Sequence, residues 1–220
     1  MNLKKWLIDT EQKYGGLFKI KQESFSPKDP RPKKIQKNYG GRGGDRMSEN
    51  QHNYADAYSR YLANMLDKPI TLIELGILRG TGIAIWSDLF PEGRIIGLDI
   101  NLTYFKNNLQ NLYNLGAFKN NNIEYYEFDQ YEDNTKFLEG LLGNNKVDVF
   151  IDDAAHVDTA MNYTFENVLP FLNKGFVYFI EDTNGKFDKN KSTENTLRKK
   201  YPQFKIEAAG RLLIISGEHI

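Results

Sequence analysis

The chain holds 220 residues, 40% hydrophobic and 13% aromatic, which suits one domain with a sizeable core. Its 29 Lys and Arg balance 29 Asp and Glu, so bulk attraction to nucleic acid or an anionic membrane is excluded. The absence of cysteine excludes disulfides, thiolate metal sites and a Cys nucleophile; no apolar run reaches the roughly 18 residues of a membrane span, and a cytoplasmic protein is expected.

Residues 3–14 predict a short helix on Leu3, Trp6, Leu7 and Ile8. Residues 21–37, rich in Lys and Ser with Pro27, Pro30 and Pro32, predict an extended, poorly packed stretch. Its lysines read as a solvated tail or as an attractor of an anionic substrate. Residues 39–46 carry four glycines and read as a flexible loop, either a linker or a lid. Residues 1–43 are thus expected to be an N-terminal extension, and residues 44–220 a single catalytic domain. Tyr54, Ala57, Tyr58, Tyr61, Leu62 and Met65 recur at helical spacing over residues 51–66, and the tyrosines read as core.

From there strands and helices alternate. Strands are predicted at 70–75, 94–100, 123–128, 147–151 and 176–180. Helices are predicted at 81–90, 102–115, 134–142, 160–172 and 193–201. A hairpin, 204–208 with 211–216, closes the chain. Alternating elements whose strands are apolar on both faces predict an α/β fold: a doubly wound, mostly parallel Rossmann-like sheet with a C-terminal antiparallel hairpin.

The first of these strands ends in Glu74-Leu75-Gly76-Ile77-Leu78-Arg79-Gly80-Thr81-Gly82. Its G-x-x-x-G-x-G spacing is neither the dinucleotide fingerprint nor a Walker loop. Asp99 ends the second strand, where a carboxylate can accept both hydroxyls of a ribose. Asp129 ends the third, placed to meet an adenine amino group. Two further strands end in acids: Asp152-Asp153, followed by Ala154-Ala155-His156, and Glu181-Asp182. Adjacent strand ends of such a sheet share one crevice. Carboxylates converging there need a positive partner, and oxygen-only ligands suit Mg²⁺ or Ca²⁺. His156 is close enough to serve as a base. Asp152 reads as a helix cap or cofactor contact. His52 reads as a substrate contact or the start of its helix, and His219 as without a role.

The loop, Asp99 and the strand pattern resemble a class I S-adenosylmethionine-dependent methyltransferase. The run 151–157 followed by 175–183 is more specific. It resembles the metal-dependent macrolide sugar O-methyltransferases of the mycinamicin type and, more distantly, the cephalosporin-hydroxylase and rhamnosyl O-methyltransferase group. Their pattern is Asp-Asp-Gly-Ser-His, then Ile-Glu-Asp after the next strand. Gly44-Asp45-Arg46 and His52-Asn53-Tyr54 are similar to that group's Asp-Lys and His-x-Tyr segment. The resemblance spans about residues 44 to 216. It implies that Asp153, Glu181 and Asp182 bind Mg²⁺ and that His156, beside Asp153, is the catalytic base. It implies an S-adenosylmethionine site lined by Glu74, Gly76, Gly80, Asp99, Asp129 and Gln130. One departure stands out: Ala154-Ala155 replaces Gly-Ser, so Ala154 is expected to restrict the turn.

The function implied is Mg²⁺-dependent methyl transfer to a hydroxyl of a sugar or sugar-containing small molecule. A neighbouring hydroxyl would chelate the same ion. No nucleic-acid partner or membrane span is expected, and a homo-oligomer is compatible with the reading. The alternatives are a catechol-like phenol acceptor, or a non-catalytic S-adenosylmethionine-binding scaffold, for which the carboxylates and His156 would be superfluous.

Overall fold

The structure, a computed structural model, describes residues 1–16, 18–21, 24–37 and 40–217. Leu17, Gln22, Glu23, Asn38, Tyr39 and residues 218–220 lie outside it, and with them one end of the glycine segment, part of the Lys-rich stretch, and His219.

The chain runs through α1 (Leu3–Tyr14), β1 (Phe18–Lys21), α2 (Lys33–Lys37), β2 (Gly40–Gly43) and α3 (Ala55–Leu62) before the alternating part begins. Then follow β3 (Thr71–Leu75), α4 (Thr81–Leu89), β4 (Arg94–Asp99), α5 (Thr103–Asn114), β5 (Ile123–Glu127) and α6 (Thr135–Leu142). The last part is β6 (Val147–Asp152), α7 (Asp158–Val168), β7 (Leu172–Ile180), α8 (Ser192–Lys200), β8 (Lys205–Ala209) and β9 (Leu212–Ser216). The main sheet has seven strands in the order β5-β4-β3-β6-β7-β9-β8, with β9 antiparallel to both its neighbours and the other pairs parallel. This is the doubly wound sheet with a closing hairpin that the alternation predicts.

Side chains alternate between two cores, as a strand period of two requires, apart from a register shift between Val147 and Val149 at the start of β6. Leu72, Ile151 and Phe179 join Tyr58, Trp86 and the first helices on one face. Ile73, Phe150 and Tyr178 join Leu138, Phe165 and Leu197 on the other. Continued past the strands, the same parity sends Glu74, Asp153 and Glu181 to the first face and Asp152 to the second.

The register fixes the height of these residues. Leu75 pairs with Leu98 and with Asp152, and Asp152 pairs with Ile180. The ladder runs one step further: Gly76 N donates to Leu98 O (2.7 Å), Asp153 N to Leu75 O (2.8 Å) and Glu181 N to Asp152 O (2.9 Å). Gly76 is required there. Its φ is +94°, and a Cβ would lie 2.1 Å from the Asp153 carbonyl oxygen.

Several boundaries differ from expectation. The helix expected at 160–172 ends at Val168, because Pro170 turns the chain into a short 3₁₀ segment, and β7 starts at Leu172. The helix expected from residue 51 starts at Ala55. The glycines are not a flexible loop: Gly40–Gly43 is a strand paired antiparallel with Phe18–Lys21. Gly43 lies under the Phe18 ring, whose nearest carbon would be 2.2 Å from an added Cβ. The stretch expected to be poorly packed contains buried Ser26, Asp29, Arg31 and Gln36. There Arg31 pairs with Asp29, sits 5.1 Å over the Phe25 ring, and its carbonyl accepts from Gln36 Nε2 at 2.9 Å. The prolines bend this stretch into a packed turn instead of extending it.

Helix α1 shares the main core through Leu3, Leu7 and Tyr14, and the Tyr14 hydroxyl donates to Asp88 on α4. Leu7→Ala should therefore lower the unfolding free energy by about 2–5 kcal/mol in a urea titration, the usual cost of a Leu cavity. A detached N-terminal appendage would leave it unchanged.

Candidate active site

A cavity of about 330 Å³ opens at the C-terminal ends of β3, β4, β5, β6 and β7, within the size range of small-molecule sites. It is bordered by Glu74, Gly76, Asp99, Asp129, Gln130, Asp153, His156, Glu181 and Asp182, so nearly all the sequence candidates meet in one place. Gly80 does not border it. This residue turns the chain into α4 with a φ of +84° and faces the Phe105 ring, so its role is packing.

At the centre is a cation that the sequence reading did not place there. Arg46 Nη1 lies 2.7 Å from Glu74 Oε1, 3.3 Å from Asp153 Oδ2 and 3.3 Å from Glu181 Oε1. Its backbone is pinned by α1: Arg46 N and Met47 N donate to the two oxygens of buried Glu11, at 3.1 and 2.9 Å. Burial opposes the guanidinium charge, but Glu181, Glu74 and Asp153 outweigh it and raise the pKa further. Burial pushes the carboxyls of Glu74 and Asp153 up, Asp153 also by repulsion from Glu181, and it takes Glu181 up to about 7.

Asp182 is held differently. Tyr54 Oη donates to its Oδ1 (2.8 Å), His52 Nδ1 lies 3.0 Å from the same oxygen, and Arg211 lies 3.5 Å away. Burial opposes the charge, yet His52 and its neighbours keep the Asp182 carboxyl well below the usual range. Reciprocally, hydrogen bonding to Asp182 and Asp45 raises His52 to about 10, so it is a cation at neutral pH. The Tyr58 hydroxyl donates to Glu181. Tyr54 and Tyr58 are thus core residues whose hydroxyls also hold the site.

His156 Nε2 lies 3.7 Å from Asp153 Oδ1, and its Nδ1 is buried without a hydrogen-bond partner. Burial lowers its pKa, which keeps the imidazole neutral and able to accept a proton. The left-handed residue of this turn is His156 itself (φ +52°), and Ala154 takes no such conformation, contrary to the expected restriction. Gln130 braces the turn: its Oε1 accepts from Ala155 N (2.9 Å) and its Nε2 donates to Thr164 (3.0 Å). Asp99 accepts from Leu78 N (2.9 Å) and Asn101 N (3.0 Å), which tie the glycine loop to the end of β4. Asp129 accepts from Tyr131 N at 3.0 Å.

Arg46, Tyr54 and Tyr58 escaped residue-level reasoning because their partners lie 28 to 135 positions away. The signal present was the Asp45-Arg46 and His52-Asn53-Tyr54 segment in the resemblance. The roof of the cavity, including Phe25, Ser26 and Arg31, also comes from the N-terminal stretch read as a tail.

No protein-family model matches the chain. It is 24% identical over 139 residues to the 8-demethyl-8-alpha-L-rhamnosyl tetracenomycin-C 2'-O-methyltransferase of Streptomyces olivaceus, covering 60% of this chain and 33% of that protein. It is 25% identical over 140 residues to the L-olivosyl-oleandolide 3-O-methyltransferase of Streptomyces antibioticus, with the same coverage. The chain therefore spans about a third of the length of these curated relatives. Among solved structures it superposes on the MycE methyltransferase of the mycinamycin biosynthetic pathway, in complex with Mg and SAH. The TM-score is 0.59 at 18% identity, over 79% of this chain and 52% of that one. The fold is that of the class I methyltransferases. The sequence relatives it resembles are named as O-methyltransferases of a rhamnosyl and an olivosyl compound.

Asp152 lies on the opposite face from the site, 1% exposed. The Ala154 N–H approaches it without completing a hydrogen bond, and burial takes its pKa up to about 7. A raised acid stabilises the fold fully below its unfolded value near 4, and that contribution is lost as pH rises through about 7. Asp152→Asn should flatten this slope and gain on the order of 2–4 kcal/mol over the native chain at alkaline pH. Urea titrations from acid to alkaline pH measure it; parallel curves for the two proteins would show that Asp152 does not titrate there.

Proposed function

We propose that this protein transfers a methyl group from S-adenosylmethionine to a hydroxyl of a sugar or sugar-containing small molecule, with Mg²⁺ as metal cofactor. The observation that carries the reading is the common face of Glu74, Asp153 and Glu181, with Asp153 and Glu181 level, Glu74 two residues below them, and neutral His156 beside Asp153. The comparisons support the reaction class.

The residues fit both cofactors. Gly76 and Asp99 border the cavity, and Asp99, which accepts from Leu78 N and Asn101 N, would keep lone pairs for a ribose. Asp129 and Gln130 also border the cavity and would hold the adenine. Asp153, Glu181 and Asp182 are hard oxygen donors at neighbouring strand ends, and burial penalises the charge of each. The structure already holds these charges with guanidinium, imidazolium and phenol partners, and among the described residues no three acids or histidines form a ready metal cage. When bound, the sulfonium supplies the methyl group, and Mg²⁺ supplies Lewis acidity toward the acceptor oxygen.

The chain's own work is orientation and proton transfer. His156, neutral and left-handed on a braced turn, accepts the proton of the acceptor hydroxyl. Tyr54, Tyr58 and His52 hold Asp182 and Glu181 at fixed angles, so donors do not reorganise during transfer. Phe25 and Arg31, from the roof, help exclude water.

Titration calorimetry should show S-adenosylhomocysteine binding, weakened by about 1–3 kcal/mol in Asp99→Ala as ribose hydrogen bonds are lost. Tighter binding of NAD would contradict the assignment.

Methylation of glycosides and sugar nucleotides with vicinal hydroxyls should be detectable by mass spectrometry. His156→Ala should lower kcat by about 10²–10⁴-fold with cofactor affinity unchanged. Because burial lowers the His156 pKa, the acid limb of kcat should fall below the ordinary imidazole value and vanish in the variant. Near-native turnover in His156→Ala would rule it out as the base.

A further inference from the structure

The guanidinium of Arg46 contacts Asp153 Oδ2 and Glu181 Oε1, carboxylate oxygens of two of the three residues assigned above to a divalent ion. We propose that Arg46 is a built-in stand-in for the metal: guanidinium and ion exclude each other between Asp153 and Glu181, and ion entry moves the guanidinium onto Glu74 alone. The inference rests on the metal assignment above.

Three features support an exchange confined to one side chain. The first is a destination. Arg46 already makes its shortest contact with Glu74 (2.7 Å), and Glu74 Oε2 is buried without a partner, so the pair can become bidentate. The second is space. Gly82 borders the pair: a Cβ there would lie 2.0 Å from Glu74 Oε1 and 2.3 Å from Arg46 Nη2. A glycine at this position leaves the guanidinium room that any other residue would take. The third is a fixed pivot. The Glu11 carboxylate holds the Arg46 and Met47 N–H groups, and the Arg46 carbonyl accepts from Tyr54 N at 2.8 Å. The backbone stays in place, and the Trp86 ring, 5.9 Å from Arg46 Cζ, gives the side chain an aromatic surface to rest against.

The exclusion follows from charge and volume. Nη1 lies 3.3 Å from an oxygen of each of the two carboxylates, where an ion held by both would also have to sit. Two cations that close in a buried site repel strongly, and a hard ion requires near-contact oxygen ligands. Without any cation, three desolvated carboxylates would face one another. Arg46 thus keeps the empty pocket folded and taxes metal affinity in return.

The test compares the full chain with Arg46→Gln by Mn²⁺ binding, read by electron paramagnetic resonance, and by thermal melts in excess chelator and in saturating Mg²⁺. Arg46→Gln should bind Mn²⁺ about tenfold tighter or more than the native chain. It should melt below the native chain in chelator, and Mg²⁺ should close or reverse that gap. A merely structural arginine would lower the melting point equally in both media. Arg46→Lys keeps the charge but loses the bidentate reach to Glu74. It gives a second comparison if the Gln variant does not fold, with Mn²⁺ affinity above the native value by a smaller factor. Binding to the native chain that is unchanged or weaker in the variants overturns the stand-in and leaves the metal assignment intact. No Mn²⁺ binding by any of the proteins overturns both.

Discussion

A guanidinium among three desolvated carboxylates is the interaction on which the C-terminal edge of this sheet depends. Glu74, Asp153 and Glu181 are forced together by strand register and parity, not by attraction. Their mutual repulsion at low dielectric would be costly without a positive partner. Arg46 answers it from outside the alternating β/α part of the chain, on a segment whose backbone hangs from Glu11 of α1. The first helix therefore matters to the site: through Glu11 it sets where the central charge sits.

The carboxylates are held by two layers of polar contacts. Around Glu181 and Asp182 the tyrosines of the α3 region supply hydroxyls, and their rings sit in the core, Tyr58 tilted against Phe179 and Trp86 with ring centroids 4.5 and 5.1 Å away. Such side chains lose little freedom on ligand binding because packing has already ordered them. Around His156 the brace is Gln130, which links the ends of β5 and β6 to α7. His156 and Asp182 take positive φ where the chain leaves β6 and β7 for the cavity, as does Leu78 after β3.

The sheet, the closing hairpin and the acidic strand ends were legible because each rests on a local signal: apolar runs of fixed length, turn residues, and acids at their ends. That Asp153 borders the cavity while Asp152 does not agrees with what the resemblance implied, and strand parity is its physical reason. What stayed hidden depends on distant partners. Arg46 reads as one basic residue after a glycine run, and only the closed fold puts it against residues up to 135 positions away. The prolines and lysines of the N-terminal stretch read as a tail because composition carries no sign of the Asp29–Arg31 pair that buries it. Gly40–Gly43 reads as a loop for the opposite reason. Intrinsic freedom was overridden by pairing with Phe18–Lys21, where only glycine admits the Phe18 ring.

The roof shows the same division between what is fixed and what is tied. Within it, Arg31 and Asp29 are buried together, and Gln36 bonds the Arg31 carbonyl, so its internal shape is set by desolvated contacts. Its ties to the rest of the cavity rim are of another kind. Asn101 Nδ2 donates to Ser24 Oγ at 2.5 Å, and Lys28 meets Glu132 at 2.6 Å. Lys28 and Glu132 are about half exposed, and such pairs contribute at most about 1 kcal/mol. These contacts join the turn to the loops after β4 and β5, the side where Asp99 and Asp129 border the cavity. On the other side Arg31 lies 5.7 Å over the Phe187 ring, beyond β7. The buried Asp29–Arg31 pair therefore sets the shape that this turn presents to the cavity, while the half-exposed Lys28–Glu132 contact adds little to holding it there.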